Sequence, residues 1–584
     1  KNFEIKMYNK KTIPLLYTAV FGFILINKPI FADTDAGSLL NREEEIYKFN
    51  KNPQKIPQID KNKKSPPVRN SQSPTIFVKD FIFKGSITKF KKEIFRDLLK
   101  NYTNKKNTFE DLKYAAYLIQ ELYSEKGFFL AKAFLPEQEV NNQTIIIQIN
   151  EGKLDKNKPY FFKKNNVRLY EDVISSYLDD ALGGNLTSQS LERGLLNLNE
   201  LPGLNVTSTI TTGEEQGSSK IIVDVIEDDL VTGILSYDNY GNRYTGKERA
   251  NVVIDINNPS KFGDKISFIK TINSSTNYDF TKILYEFPIQ QSGLRGTISY
   301  TDLDFEIGKE IKTNPVSKGT ASTSNIGLVY PIQRRRESSI LFRSNIERKD
   351  IYNEASGSTT NDKIIDNFNI GLTYKKTNNY DLGGVSIISI DKSFGDLDLS
   401  KVSSDYNNDQ SATGAKTDGS FDKTLLNFYH IQKVSTNLNL KTFGLAQLSN
   451  KNLDSSEKLS LGGVSGVRAY PSGEASGDQG YKFSAELQTN LSSLINVDVL
   501  ASVFYDYGKI QQYKDPSNIT LTTPNKYSLS GWGVAFDFYP KSDILIKAGW
   551  SQTIGNNDGK SSAGMNSDGK ADSSRVWLVL SYEF

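Results

Sequence analysis

The chain has 584 residues, a formal net charge of +3, no cysteine and a single histidine, His430. That composition excludes thiol nucleophiles, disulfides and every Cys/His metal site, and the balanced charge gives no footprint for a nucleic-acid partner. A mean hydropathy of −0.46 excludes a helical membrane protein but not a β-barrel, whose strands alternate.

Residues 1–32 read as a secretory signal. Lys10 and Lys11 form its positive region, Ile13 to Ile26 its apolar core, and Ala32 a cleavage site. Met7 is a candidate start, and the core is too short to span a bilayer. Residues 33–50 contain Ala36 to Leu40 and Arg42 to Glu45, a stretch that favours a short, charged helix. With so little apolar face, that helix is not expected to join a core. Residues 51–75 form a linker, with Pro53, Pro57, Pro66, Pro67 and Pro74 among lysines, asparagines and serines. Residues 76–153 read as a β-α-α-β-β unit: a strand over Ile76 to Phe83, a helix around Lys91 to Leu99, and a second helix capped by Thr108. In that helix Phe109, Leu112, Ala115, Ala116, Ile119 and Leu122 repeat at helical spacing. Gly127 stops it, and strands Phe128 to Phe134 and Thr144 to Ile149 complete the sheet. Residues 154–229 repeat the plan, with helices over Val173 to Leu182 and Leu191 to Leu198, a break at Leu201-Pro202-Gly203, and strands Val206 to Thr211 and Lys220 to Ile226. Small α/β units of this kind expose sheet edges that can recruit an extended peptide.

From residue 230 to Phe584 the helical period disappears. About sixteen strand-like runs follow, each roughly 8–13 residues, the length that crosses a bilayer at a tilt. In the run ending the chain, Val576, Leu578, Leu580, Tyr582 and Phe584 line one face. Turns after even-numbered strands are short, and three close on an aromatic-proline pair, Phe287-Pro288, Tyr330-Pro331 and Tyr539-Pro540, where proline should stop pairing. Several exits from odd-numbered strands are long and polar, including Glu306 to Ser322, Lys392 to Asp422, Asn450 to Tyr481, Lys509 to Lys526 and Gly555 to Ser574. Short turns on one side and long loops on the other are the arrangement of an outer-membrane barrel. His430, in the run Leu425 to Val434, has no candidate partner and reads as a structural or lumen-facing histidine.

Within the longest-side loops lies a glycine-rich stretch, Leu461-Gly462-Gly463 to Val467-Arg468-Ala469-Tyr470. It is followed by a strand containing Phe504-Tyr505-Asp506-Tyr507-Gly508. Period two puts Ser502, Phe504, Asp506 and Gly508 on one face and Val503, Tyr505 and Tyr507 on the other. A carboxylate facing a barrel interior needs a partner, since a broken buried pair costs on the order of 3–5 kcal/mol; Arg468 is the candidate. The chain resembles the outer-membrane transporters of two-partner secretion, the TpsB family. In that family a V-R-G-Y/F loop tip tucks into the barrel and its arginine meets the aspartate of an F-x-D-x-G strand. Val467, Arg468 and Tyr470 match the first motif, and Phe504, Asp506 and Gly508 the second. Ala469 departs from the usual glycine; were a positive φ needed there, alanine would be strained by roughly 1 kcal/mol.

The resemblance implies a membrane β-barrel of about sixteen antiparallel strands at residues 230–584. Two periplasmic POTRA domains (76–153 and 154–229) and an N-terminal plug helix (33–50) would precede it. The run Ser190 to Thr212, with its Leu-Pro-Gly turn, resembles the second POTRA. The implied partners are a secreted exoprotein with an N-terminal secretion domain (adhesin, haemolysin or haem-binding type), the outer-membrane lipid, and the barrel-assembly machinery, which would read the terminal strand ending at Phe584. No nucleic acid and no cofactor is implied, and the nearest nucleophile-elbow match, Gly463-Val464-Ser465, lacks its closing glycine, so no enzyme is expected. The alternative is a barrel-assembly insertase of the same superfamily, which usually carries more POTRA units.

Overall fold

The computed structural model describes residues 3–5, 35–50, 74–165, 167–183, 186–215, 217–273, 277–378, 382–492 and 497–584. The expected signal from Met7 to Ala32 and most of the linker lie outside these. Ile59–Asp228 belongs to one compact unit, and Asp229–Phe584, with the helix Ala36–Asn50, to another.

In the first unit, Thr108 caps the helix Phe109–Glu125 by accepting from the Asp111 amide, and the Asp111 carboxylate reaches back to the Thr108 amide. The helix buries Leu112, Ala115, Ala116, Ile119 and Tyr123 against Phe81, Phe83, Ile145, Ile147 and Ile149 of the sheet. Phe109 departs from the expected stripe: it is exposed, with the Lys113 ammonium over its ring. The expected strand Ile76 to Phe83 divides into Thr75–Val78, paired with Lys105–Thr108, and Asp80–Gly85, paired in parallel with Thr144–Asn150. Lys132–Phe134 completes that sheet, so Phe128 to Ala131 is not strand. A second α/β arrangement follows. Helices Glu171–Leu182 and Ser188–Asn199 pack on a sheet in which Ser218–Glu227 pairs with Leu204–Thr212 on one side and with Tyr160–Asn165 on the other. Phe3–Ile5 forms a short strand on the Leu204–Thr212 edge.

The second unit is a closed barrel of sixteen antiparallel strands. In order, strands 1–16 are Val231–Asp238, Arg249–Asn257, Lys265–Asn273, Asp279–Pro288, Arg295–Glu306, Lys318–Arg334, Ser338–Ala355, Ser358–Asn378, Gly384–Asp398, Gly419–Lys433, Leu438–Ser449, Gln479–Asn490, Asp498–Gln511, Lys526–Lys541, Ile544–Thr553 and Ser574–Glu583. Strand 1 meets strand 16 from Ile234–Glu583 to Asp238–Val579. That closure removes the sheet edges, which lipid cannot satisfy. Alternation does the rest: Val576, Leu578, Leu580 and Tyr582 point out, while Trp577, Val579 and Ser581 are buried inside.

Three expectations change. Strands 6, 7 and 8 run 17, 18 and 21 residues, well beyond the length needed to cross a bilayer. Strands 7 and 8 continue past the apolar zone as one hairpin, turning at Ser356 and Gly357, whose φ values of 50° and 83° give the tight turn that a right-twisted hairpin prefers. The prolines do not all stop pairing. Pro331 stays in the ladder opposite Leu341, and a register shift before Gln333 absorbs its missing N–H. Pro540 lies in a similar irregularity between Phe538 and Lys541, and Pro288 is the last residue of its strand. His430 faces outward, not into the lumen, because its neighbours Tyr429 and Ile431 are the buried ones; its Nδ1 lies 2.8 Å from the Ser386 hydroxyl.

The helix Ala36–Asn50 also differs from expectation. Asp35 caps it, accepting from the Ser38 amide at 2.7 Å. Ala36, Leu39 and Leu40 are buried in a cluster with Leu303, Ile351, Ile365 and Leu397, all inward-facing barrel residues. Three adjacent small or apolar residues suffice because the receiving wall is concave and apolar there.

Candidate functional site

The loop between strands 11 and 12 folds back into the barrel, and its tip is fixed by its own backbone. The Val467 amide donates to the Leu461 carbonyl at 2.7 Å, and the Tyr470 amide to Val467 at 3.1 Å. Val467, Ala469 and Tyr470 are fully buried, in a cluster with Leu461, Phe443, Leu445, Ile510 and Leu529. Burying side chains the size of Val467 and Tyr470 contributes roughly 1.5–3 kcal/mol each.

Between these anchors, Arg468 reaches the barrel wall. Its Nη2 donates to Asp506 Oδ1 at 2.8 Å, its Nε to Asp506 Oδ2 at 2.9 Å, and its backbone N–H to the same Oδ2 at 3.0 Å. Asp506 is thus held by three donors of one residue, two of them the fork that matches a carboxylate. The remaining Nη1 donates to Glu486 Oε2 at 2.8 Å, and the Ser484 hydroxyl bridges Arg468 Nη2 and Asp506 Oδ1. The register explains the group: Ser484 of strand 12 lies opposite Asp506 of strand 13, and Glu486 opposite Phe504. The guanidinium carbon sits 3.3 Å from the centre of the Phe504 ring, a cation–π contact strengthened by burial. The Arg468 carbonyl is held as well, by the Ser551 hydroxyl at 2.8 Å and the Trp577 indole N–H at 2.7 Å.

Each motif residue therefore has a physical task. Phe504 supplies the face beneath the cation, and Asp506 its fork. At Gly508, any Cβ would lie 2.9 Å from Leu461, so glycine lets the loop lie flat on the strand. Ala469 is not in the left-handed region, so the anticipated strain is absent. Its methyl instead fits over Gly531 of strand 14, where an added Cβ would come within 2.5 Å. Glu486, Ser484, Ser551 and Trp577 were not singled out from the sequence.

The helix seat lies in the same unit. Glu43 accepts from the Tyr278 hydroxyl at 2.5 Å and pairs with Arg249 at 3.4 Å, while Arg249 also pairs with Asp238 at 3.1 Å. Asp35 lies 3.6 Å from Lys363, which is 2.7 Å from Asp454. The Ala36 amide donates to Asn353, and Asn41 to the Lys458 carbonyl of the Arg468 loop. Among the described residues no His/Cys/Asp/Glu group has the geometry of a metal site.

A sixteen-strand cylinder with an apolar outer wall, a polar lumen and a charged loop clamped inside it defines an outer-membrane transporter. The model of the family described as haemolysin secretion/activation protein ShlB/FhaC/HecB matches residues 217–537, and that of the ShlB-type POTRA domain matches residues 76–152. The chain belongs to this family of two-partner secretion transporters; it resides in the outer membrane, with its POTRA region in the periplasm. Similar proteins include the heme/hemopexin transporter protein HuxB of Haemophilus influenzae (strain 86-028NP), 24% identical over 79% of this chain and 80% of that one. The outer membrane transporter CdiB of Dickeya dadantii is 23% identical over 77% and 81%. Among solved structures, CdiB from Escherichia coli superposes with a TM-score of 0.68 at 19% identity, covering 91% of this chain and 93% of that one.

Proposed function

We propose that the barrel passes one large secreted partner, an adhesin, haemolysin or haem-binding exoprotein, from the periplasm to the cell surface. Residues 76–153 and a second POTRA at 154–229 capture the partner's N-terminal secretion domain on a sheet edge. The helix Ala36–Asn50 plugs the lumen until the partner arrives. The chain carries no P-loop motif for nucleotide, so outward movement is drawn by folding of the partner at the surface. A relative named as a heme/hemopexin transporter supports the haem-binding class among the three cargoes. The terminal strand, apolar at alternate positions to Phe584, serves recognition by the barrel-assembly machinery.

The observation that carries this reading is the Arg468 clamp: a loop drawn into the lumen and fastened to strands 12 and 13 through buried charges has no use in a passive pore. The test is co-expression with a candidate exoprotein that carries an N-terminal secretion domain. Surface or medium exoprotein should require this chain, and an Arg468→Ala variant that still inserts should secrete poorly. Equal release in the absence of this chain would overturn the proposal.

A further inference from the structure

On the long-loop side of the barrel, three loops enclose a cavity of about 210 Å³. A water molecule's share of liquid volume is about 30 Å³, so the space admits a molecule of several heavy atoms. Lys458 and Glu474 come from the Arg468 loop, Tyr513 from the loop after strand 13, Tyr527 from the start of strand 14, and Met565 from the loop before strand 16.

Glu474 is the unusual member. It is 2% exposed, yet among the described residues its carboxylate accepts from uncharged donors, Asn557 Nδ2 at 2.5 Å and the Ser567 amide at 2.6 Å. A carboxylate offers about four lone-pair sites, so these donors leave it capacity to accept more. Burial pushes its carboxyl above the ordinary range. Lys458, which also lines the cavity, is engaged elsewhere: with Asp478 at 2.9 Å, with the Gln512 carbonyl at 2.9 Å, and over the Tyr513 ring at 4.1 Å. Tyr527 is 8% exposed and lines the same space, with no hydrogen bond to its hydroxyl among the described residues. The enclosed groups thus offer a buried carboxyl group with no cation against it among the lining residues, and an aromatic face.

We propose that this cavity binds a small organic ammonium ion. The ammonium donates to Glu474 and to the Tyr527 oxygen and lies against the Tyr527 ring, while its carbon chain runs past Met565. An anion would meet an uncompensated carboxylate, and a neutral molecule would leave that carboxylate without the charge that offsets its burial. Because the walls come from three separate loops, the bound ion ties them together at the outer mouth.

The experiment uses the full chain in detergent, titrated calorimetrically with 1,4-diaminobutane, with 1,4-butanediol as the uncharged control of equal length, and with potassium chloride at matched ionic strength. Saturable binding of the diamine alone is expected. Glu474→Gln should weaken it by at least about tenfold, the scale of one charge-assisted hydrogen bond, and Tyr527→Phe by a smaller factor. Each variant is first checked for a mobility difference between boiled and unboiled samples. If Glu474→Gln does not assemble, the diamine–diol contrast on the unaltered chain decides. Absent diamine binding, equal binding of the diol, full displacement by potassium, or unchanged affinity in an assembled Glu474→Gln barrel would each overturn the proposal.

Discussion

The Arg468 loop and the helix Ala36–Asn50 both occupy the inside of the barrel, and both use charges to stay there. They differ in what each would leave behind. Arg468 is the cation facing two buried carboxylates, Asp506 and Glu486, whose side chains are 1% and 9% exposed. Withdrawing it takes the ion-pair partner from Asp506, while Glu486 still faces Lys441, which lies opposite it on strand 11. Two carboxylates of the helix are second partners to pairs that are already made: Glu43 joins Arg249, which keeps Asp238, and Asp35 approaches Lys363, which keeps Asp454. Removing the helix uncovers apolar wall at Leu303, Ile351 and Ile365 but leaves those two cations paired. Vacating the first seat unpairs Asp506, whereas losing Glu43 and Asp35 from the second leaves Arg249 and Lys363 each with a carboxylate.

The largest expected effect follows from that contrast. Arg468→Ala should destabilise the barrel by about 3–5 kcal/mol, the range for removing one partner of a buried ion pair, and should free the loop tip. The measurement is the temperature at which the unboiled band is lost on gels, read beside secretion. Truncating Asp506 together with Arg468 should recover part of the loss, because Asp506 is then not left unpaired and Glu486 still faces Lys441. Failure of the double variant to recover any stability would break the comparison at its stronger end.

Glu43→Gln tests the weaker end. It removes one ion pair at 3.4 Å, keeps an acceptor for Tyr278 and leaves Arg249 paired with Asp238, so barrel stability should fall by less than in Arg468→Ala. Single-channel recordings should nevertheless show more frequent opening, since the helix loses an anchor while Arg249 on the wall keeps Asp238. A Glu43→Gln barrel that melts as early as Arg468→Ala would show that the two seats are equivalent after all.

Much of this was legible before any coordinates. The period of two in Phe504 to Gly508 placed Asp506 inside, and a buried carboxylate demands a cation, so Arg468 could be named. Glu486 could not. Strand 12 presents Lys482, Ser484, Glu486 and Gln488 to the lumen, and which of them meets Arg468 depends on the register with strand 13, where a slip of two residues keeps every face but changes every partner. Gly531 was equally hidden, because a missing Cβ announces itself only when Ala469 is seen lying over it. The helix seat was misjudged for a related reason. An isolated stretch with three apolar residues looks too poor to bury, and its receiving wall lies some three hundred residues away in the chain.

A third carboxylate, outside the barrel, sharpens the contrast between clamps made by a cation and clamps made by neutral donors. Glu151 in the first α/β unit accepts from the Thr88 and Lys89 amides, each at 2.8 Å, from the Thr88 hydroxyl at 2.5 Å and from the Tyr123 hydroxyl at 2.8 Å. Burial pushes its carboxyl up, but these donors outweigh burial, and the net shift is downward. A depressed folded-state value means that the stabilisation is present above the unfolded carboxylate range, about pH 4.3, and is lost as pH falls through the lower folded value. Acidification from pH 7 toward pH 3 should therefore lower the melting temperature of this unit, and Glu151→Gln should flatten that part of the profile. Circular dichroism melts of the full chain, following the transition that precedes barrel unfolding, provide the measurement. An acid limb as steep in Glu151→Gln as in the unaltered chain would assign the acid sensitivity to other carboxylates and leave the neutral-donor clamp with no measurable part in it.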